Sequence, residues 1–234
     1  MSECAVKSSD GTCAPPPGVE RFRVPAGEAR SESVVKKSTF IGTIGRAESV
    51  GAAEAFIARV RSEFPDANHH AWAYRITGGP QGVIGSSDDG EPGGTAGRPM
   101  LSVLEASGLV QAVAVATRYF GGTKLGPGGL VRAYSGVVRE ALAVLPVEER
   151  VLHRLARITV DYGLYGNLQY LLLRHGVTME DPQFADRVSM LLAVPYDRWD
   201  AVARLLSELT SGGIGLARCQ VGVRYDVAAS EPAQ

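Results

Sequence analysis

Residues 87–142 run SDDGEPGGTAGRPMLSVLEASGLVQAVAVATRYFGGTKLGPGGLVRAYSGVVREAL, and the order within this stretch decides the fold. At its centre, Leu109 to Thr117 (LVQAVAVAT) is a strongly apolar run of strand length. A glycine-rich loop lies on either side of it, and each loop leads into helical spacing. Ser86 to Pro99 is too rich in Gly, Asp and Pro for either regular structure, and a helix follows over Met100 to Ser107. Arg118 to Gly129 (RYFGGTKLGPGG) is the second loop. After it, Leu130, Val131, Tyr134, Val138, Ala141, Leu142 and Leu145 mark the buried stripe of a long helix. Two strands, around His70 to Thr77 and Gly82 to Ser86, precede the first loop, so the order of strand, glycine loop and helix occurs twice.

Working outward, the alternating run Ser33 to Arg46 (SVVKKSTFIGTIGR) reads as one bent strand or two short ones. Ser49 is placed to cap a helix that continues to Phe64, where Pro65 ends it. The composition changes at Pro146 to Glu149. Beyond it come a strand near Leu155 to Val160, a helix from Leu164 to His175, strands near Val177 and over Val188 to Val194, a helix over Trp199 to Leu209 and a strand from Leu216 to Tyr225. That βαββαβ order is the ferredoxin-like pattern. The expected organisation is an α+β protein with a disordered tail (1–18, containing Pro15-Pro16-Pro17), a first domain (19–146), a ferredoxin-like second domain (147–225) and a tail (226–234).

The totals exclude several classes. With 24 Lys and Arg against 25 Asp and Glu the net charge is -1, unlike a polybasic nucleic-acid binder, so any electrostatic site has to be local. Cys4, Cys13 and Cys219 are odd in number and widely spaced, which argues against a disulfide framework and structural zinc and fits a reducing compartment. The N-terminus has no apolar run of signal-peptide kind, and no segment approaches the ~20 apolar residues of a membrane span. A cytoplasmic protein with no membrane contact and no cofactor is expected.

The first loop has an acidic half and a small-residue half. Asp88, Asp89 and Glu91 within four positions could hold a hard cation such as Mg²⁺ or supply a general base; they are also the residues of a hydrogen-bonded turn. Gly94, Thr95 and Gly97, with Arg98 and Pro99 at the helix entrance, leave backbone N–H groups free to face an anion. In the second loop Gly121, Gly122, Gly126, Gly128 and Gly129 are interleaved with Lys124 and preceded by Arg118, Tyr119 and Phe120. It has neither Walker A order nor the dinucleotide fingerprint, so NTP hydrolysis is unsupported. Arg132, Ser135 and Arg139 extend a polar ridge along the next helix. From Arg98 to Arg139 five basic residues face only Glu105, a local excess beside aromatics that suits nucleic-acid backbone and unstacked bases. Solvated arginines and a core Phe120 would leave the same pattern. His69 and His70 are adjacent on a strand and point to opposite faces, so one belongs to the core and one to the surface.

Several stretches together resemble the bacterial, YigZ-like branch of the IMPACT family. They are Lys36-Lys37-Ser38-Thr39-Phe40-Ile41, Asn68-His69-His70 before Trp72-Ala73-Tyr74, Ser87 to Pro92 with Gly94 to Leu101, and Arg118 to Gly126 running into Gly128 to Tyr134. The resemblance implies a first domain like the second domain of a small-subunit ribosomal protein, a fold shared with translocating elongation factors. It implies a second domain like a terminal domain of elongation factor G. Both point to RNA or the ribosome. Eukaryotic relatives regulate translation with an additional N-terminal domain, which this sequence does not show. The leading expectation is a non-enzymatic, translation-associated regulator that binds RNA or a ribosomal or translation-factor surface through its first domain. The competing one is an enzyme on a small phosphorylated or peptide substrate that uses the acidic loop with or without Mg²⁺. A third is recruitment of a protein partner by the second domain.

Overall fold

The structure, a computed structural model, describes residues 21–76 and 82–228; the tail expected over 1–18 and most of that over 226–234 lie outside the described residues. The chain divides into two compact units, and among the described residues the divisions fall between Arg21 and Phe22, so that the first residue of the opening strand is grouped with the second unit, and between Glu149 and Arg150.

The first unit contains β1 (Arg21–Pro25), β2 (Ala29–Val35), β3 (Ser38–Arg46), α1 (Val50–Glu63), β4 (His69–Ile76), β5 (Val83–Ser87), α2 (Gly97–Ser107), β6 (Ala112–Tyr119) and α3 (Pro127–Ala143). Its sheet has the order β2-β3-β6-β4-β5. The apolar run at the centre of the sequence becomes the central strand β6, covered on both faces. Ala112, Ala114 and Ala116 share a core with Met100, Leu104, Leu130, Tyr134 and Val138 of α2 and α3. Val113 and Val115 pack with Ala53, Ile57 and Val60 of α1. Period-two alternation is therefore present, but as small against branched rather than polar against apolar, because neither face meets water. Small residues let α2 and α3 approach closely. At Gly42 in β3 a Cβ would stand 2.8 Å from the Val137 carbonyl oxygen of α3.

Ser49 does cap α1, its hydroxyl accepting the Ala52 N–H at 3.1 Å. The run Ser33 to Arg46 is two strands, paired Val35 to Ser38 across a two-residue turn. Lys36 and Lys37 in that turn have φ of 47° and 69°. Helix α3 starts at Pro127, ahead of the expected Leu130, because Pro127 is suited to the first helical position and takes Gly128 and Gly129 into the first turn. Strand β6 begins at Ala112 rather than Leu109, since Gln111 takes a left-handed conformation, φ 52°, immediately before it.

The second unit is formed by β7 (Val147–Val160), whose first three residues precede the division, α4 (Tyr162–Arg174), β8 (Thr178–Phe184), β9 (Val188–Pro195), α5 (Trp199–Leu209) and β10 (Gln220–Val227). Neighbouring strands run antiparallel in the order β10-β7-β9-β8, the 4-1-3-2 arrangement of a ferredoxin-like βαββαβ domain. Ala156, Ile158 and Val160 of β7 and Val188, Met190, Leu192 and Val194 of β9 present one face of the sheet to Leu168 and Leu172 of α4 and to Trp199, Val202 and Leu206 of α5. The last strand starts later than Leu216 because Leu216–Cys219 forms a 3-10 turn. The whole is α+β. No helix among the described residues is long and apolar enough to cross a membrane.

Candidate functional site

Topology brings the motifs of the first unit to one end of its sheet. Strand β4 is antiparallel to both β5 and β6, so the outgoing ends of β5 and β6 lie beside the incoming end of β4. The pairs His69 to Arg118 and Thr39 to Tyr119 add the start of β3 to the same end. The loop from Asp88 to Ala96 leads into α2 there, and the loop from Phe120 to Gly126 leads into α3.

The acidic half of the first loop is turned inward. Asp88 Oδ1 accepts the N–H groups of Ala96 at 2.8 Å and Gly97 at 2.9 Å, and Oδ2 accepts that of Gly94 at 2.7 Å. Burial raises the Asp88 pKa, but these three donors outweigh it and hold the carboxyl below its ordinary value. Asp89, at φ 46°, accepts the His70 backbone N–H at 2.7 Å and pairs with Arg61 at 2.5 Å, while its carbonyl oxygen meets His69 Nδ1 at 2.8 Å. Glu91 Oε1 accepts Arg118 Nη1 at 2.6 Å and the Tyr134 hydroxyl at 2.7 Å, with its side chain only 4% exposed. Burial, reinforced by the Glu91 carboxylate, pushes the Tyr134 phenol far up, so it stays protonated as a donor. Of the two open readings of this loop, the geometry is that of the hydrogen-bonded turn. Among the described residues no group of three or more His, Cys, Asp and Glu is placed to hold a metal ion.

Arg118 likewise has an internal role. It is 5% exposed, donates from Nη2 to Ser38 Oγ at 3.3 Å, and stands 5.4 Å from the ring centroids of both Phe40 and Phe120. A guanidinium fixed in this way on Glu91 and Ser38 organises the two loops; it is not the outward-facing cation that the sequence suggested, because its charge is already met by a buried carboxylate. Thr95 and Gly97 also face inward. The Thr95 hydroxyl donates to the Pro92 carbonyl at 2.6 Å, and a Cβ at Gly97 would stand 2.6 Å from the Ser87 carbonyl oxygen.

The second loop is held to its neighbours by backbone donors. Phe120 N–H reaches Asn68 Oδ1 at 2.7 Å, and Gly121 N–H reaches Ser38 Oγ at 3.1 Å. Gly126 sits at φ 74°, ψ 165°, a region essentially restricted to glycine, and turns the chain into Pro127. Gly122, also left-handed at φ 81°, and Lys124 are exposed on the outer side of this loop.

Arg98, Lys124, Arg132 and Arg139 are all exposed. No carboxylate among the described residues forms a salt bridge with any of these four. Arg98 and Arg139, with Gly94, Ser102 and Ser135, line an open groove of about 900 Å³ between α2 and α3, floored by Val103, Val131 and Leu142. Arg132 lies on the exposed side of α3, one turn from its start.

Residue-by-residue reading missed Ser38, Asn68 and Tyr134 as members of the site. Their signal was the set of family-like stretches, which are scattered in sequence and meet only through strand register. His70 is the buried histidine, its Nδ1 3.1 Å from Thr117 Oγ1, and burial lowers its pKa; His69 is partly exposed.

Residues 36–142 match the Impact N-terminal domain, and residues 158–212 match a domain of unknown function, DUF1949. An IMPACT family member of Haemophilus influenzae is 37% identical over 203 residues, covering 86% of this chain and 98% of the relative. The Escherichia coli IMPACT family member YigZ is 34% identical over 200 residues, covering 85% and 98%. Among solved structures, a hypothetical protein superposes with a TM-score of 0.58 at 32% identity, covering 92% of this chain and all of that one. The two-domain translational regulator Yih1 aligns at 26% identity with a TM-score of 0.33, covering 61% of this chain and 52% of its own.

Proposed function

The chain belongs to the IMPACT family, and on that premise we propose that it is a cytoplasmic, non-enzymatic factor associated with translation, whose first unit binds RNA, free or on the ribosome, through backbone phosphates. The observation that carries this reading is the division of charge at one end of the first sheet. The three acidic side chains of the first loop are consumed by backbone N–H groups, Arg61, Arg118 and Tyr134. The basic ones, Arg98, Lys124 and Arg132 near this end and Arg139 further along α3, remain exposed and without a carboxylate partner among the described residues. A chain of net charge -1 thus carries a local positive field on a rigid frame. Glycine at 122 and 126, where a Cβ would meet nothing within 4 Å, keeps side chains away from that frame, so a phosphate backbone can approach the main chain there. An enzyme that used Asp88, Asp89 or Glu91 would first have to break the hydrogen bonds that fold the loop.

The test is salt-dependent binding of a short single-stranded RNA, followed by fluorescence anisotropy, together with co-sedimentation on ribosomes. Arg98→Ala, Lys124→Ala, Arg132→Ala and Arg139→Ala each remove one cation from the surface, and each should flatten the log–log salt dependence by roughly 0.7 to 0.9 per phosphate no longer neutralised. RNA affinity indifferent to both salt and these changes, or no association with either RNA or ribosomes, would refute the reading.

A further inference from the structure

We infer that the β2–β3 turn, Lys36-Lys37, is a further phosphate-contacting element of this RNA-binding end, presented by a strained backbone and buttressed by the second glycine loop. The inference rests on the RNA-binding reading and extends it to residues on a third segment of the chain.

A two-residue hairpin turn of this kind needs left-handed backbone at both central positions, which Asn-Gly or Gly-Gly supplies with least strain. Here both positions are lysine, at φ 47° and 69°. Consecutive left-handed lysines also place two like charges side by side, so closing the hairpin does not explain their presence. Such strain persists where the surroundings over-determine it, and these surroundings do. A Cβ at Gly121 would stand 1.9 Å from the Lys37 carbonyl oxygen, so the second glycine loop lies directly against the turn. Next in sequence, Ser38 accepts the Gly121 N–H at 3.1 Å and receives Arg118 Nη2 at 3.3 Å. Arg118 is in turn fixed on Glu91 of the first loop at 2.6 Å. One chain of interactions, Glu91–Arg118–Ser38–Gly121, therefore ties the turn to both loops.

Lys36 and Lys37 are exposed, and among the described residues neither forms a salt bridge. The turn touches the loop that carries Lys124, and so adds two flexible ammonium groups to the cations already named there. Lysine acts as a point charge toward phosphate without demanding one geometry. Cations spread over separate segments suit a run of phosphates along an RNA backbone better than a single phosphate group.

The closing experiment compares the full chain with K36N/K37G and K36R/K37R. The Asn-Gly variant removes both charges and relieves the backbone, so its Tm should rise by a few degrees while the salt slope of RNA binding falls by about 1.4 to 1.8, as expected when two phosphates are no longer neutralised. The Arg-Arg variant keeps the charge and should keep the slope. A K36N/K37G slope equal to that of the unsubstituted chain would overturn the turn's role while leaving RNA binding by the rest of the surface intact. An equal fall of slope in K36R/K37R would overturn the charge interaction, and an unchanged or lower Tm in K36N/K37G would overturn the strained presentation. No RNA binding by the unsubstituted chain would overturn the reading on which the inference rests, and the inference with it.

Discussion

Glu91 joins β6 and α3 to the first loop, because one carboxylate oxygen receives both Arg118 and Tyr134 in a nearly dry setting. Glu91→Ala would leave the Arg118 guanidinium buried without its counter-charge, a change that typically costs about 3–5 kcal/mol. A large drop in Tm is the expected result, with the second unit still showing its own unfolding transition by calorimetry. Asp88 adds a pH dependence whose sign follows from its lowered pKa. Folding favours the ionised carboxylate, so its contribution is present above the unfolded value of about 3.9 and is lost as pH falls through the lower folded value. Stability measured by urea titration should therefore decline below about pH 4, and Asp88→Asn should reduce that decline while destabilising the protein at pH 7.

At the scale of elements, the positions that glycine must occupy are those where backbone meets backbone. Gly121 faces the Lys37 carbonyl oxygen at a distance no Cβ can share, whereas Gly128, inside the first turn of α3, would meet nothing nearer than the Arg132 guanidinium at 3.8 Å. Gly121→Ala should destabilise by about 1–3 kcal/mol through overpacking and displace the β2–β3 turn. Gly128→Ala should be neutral or slightly stabilising in the same denaturation assay. Glycine density in the sequence marks the loop but does not separate these two kinds of glycine. The separation depends on which strand lies opposite. The helices and strands themselves are largely legible: the Ser49 cap, the α1 stop before Pro65 and the βαββαβ order all rest on local spacing. The start of α3 lies three residues ahead of the position that the apolar stripe suggests, because glycine reads as loop even where a preceding proline has already set the helix.

Across the whole molecule cations are used in two ways, and each unit contains both: Arg30, Arg46, Arg59 and Arg61 of the first unit are paired with carboxylates, while Arg157, Arg204 and Arg218 of the second are exposed and form no salt bridge among the described residues. In the second unit Arg224 is held by Glu180 at 2.5 Å and Asp226 at 2.6 Å, and Arg187 by Asp161 at 2.8 Å. In the first, the exposed cations of α2, α3 and the loops have no such partners among the described residues. Arg187→Ala, at an exposed pair worth at most about 1 kcal/mol, should therefore leave both Tm and the salt slope of RNA binding nearly unchanged. The sequence by itself determined the α+β class, the ferredoxin-like order of the second domain, and the presence of two glycine loops on helix starts. These are written in local periodicity and in residue types that short segments demand. Which charges face outward was decided only by tertiary structure. Arg118 and Lys124 are six positions apart in one motif, yet the first is buried on Glu91, 27 positions away, and the second is exposed. Burial and ion pairing depend on the register of β3, β4 and β6, and no local pattern encodes which distant side chain that register brings opposite.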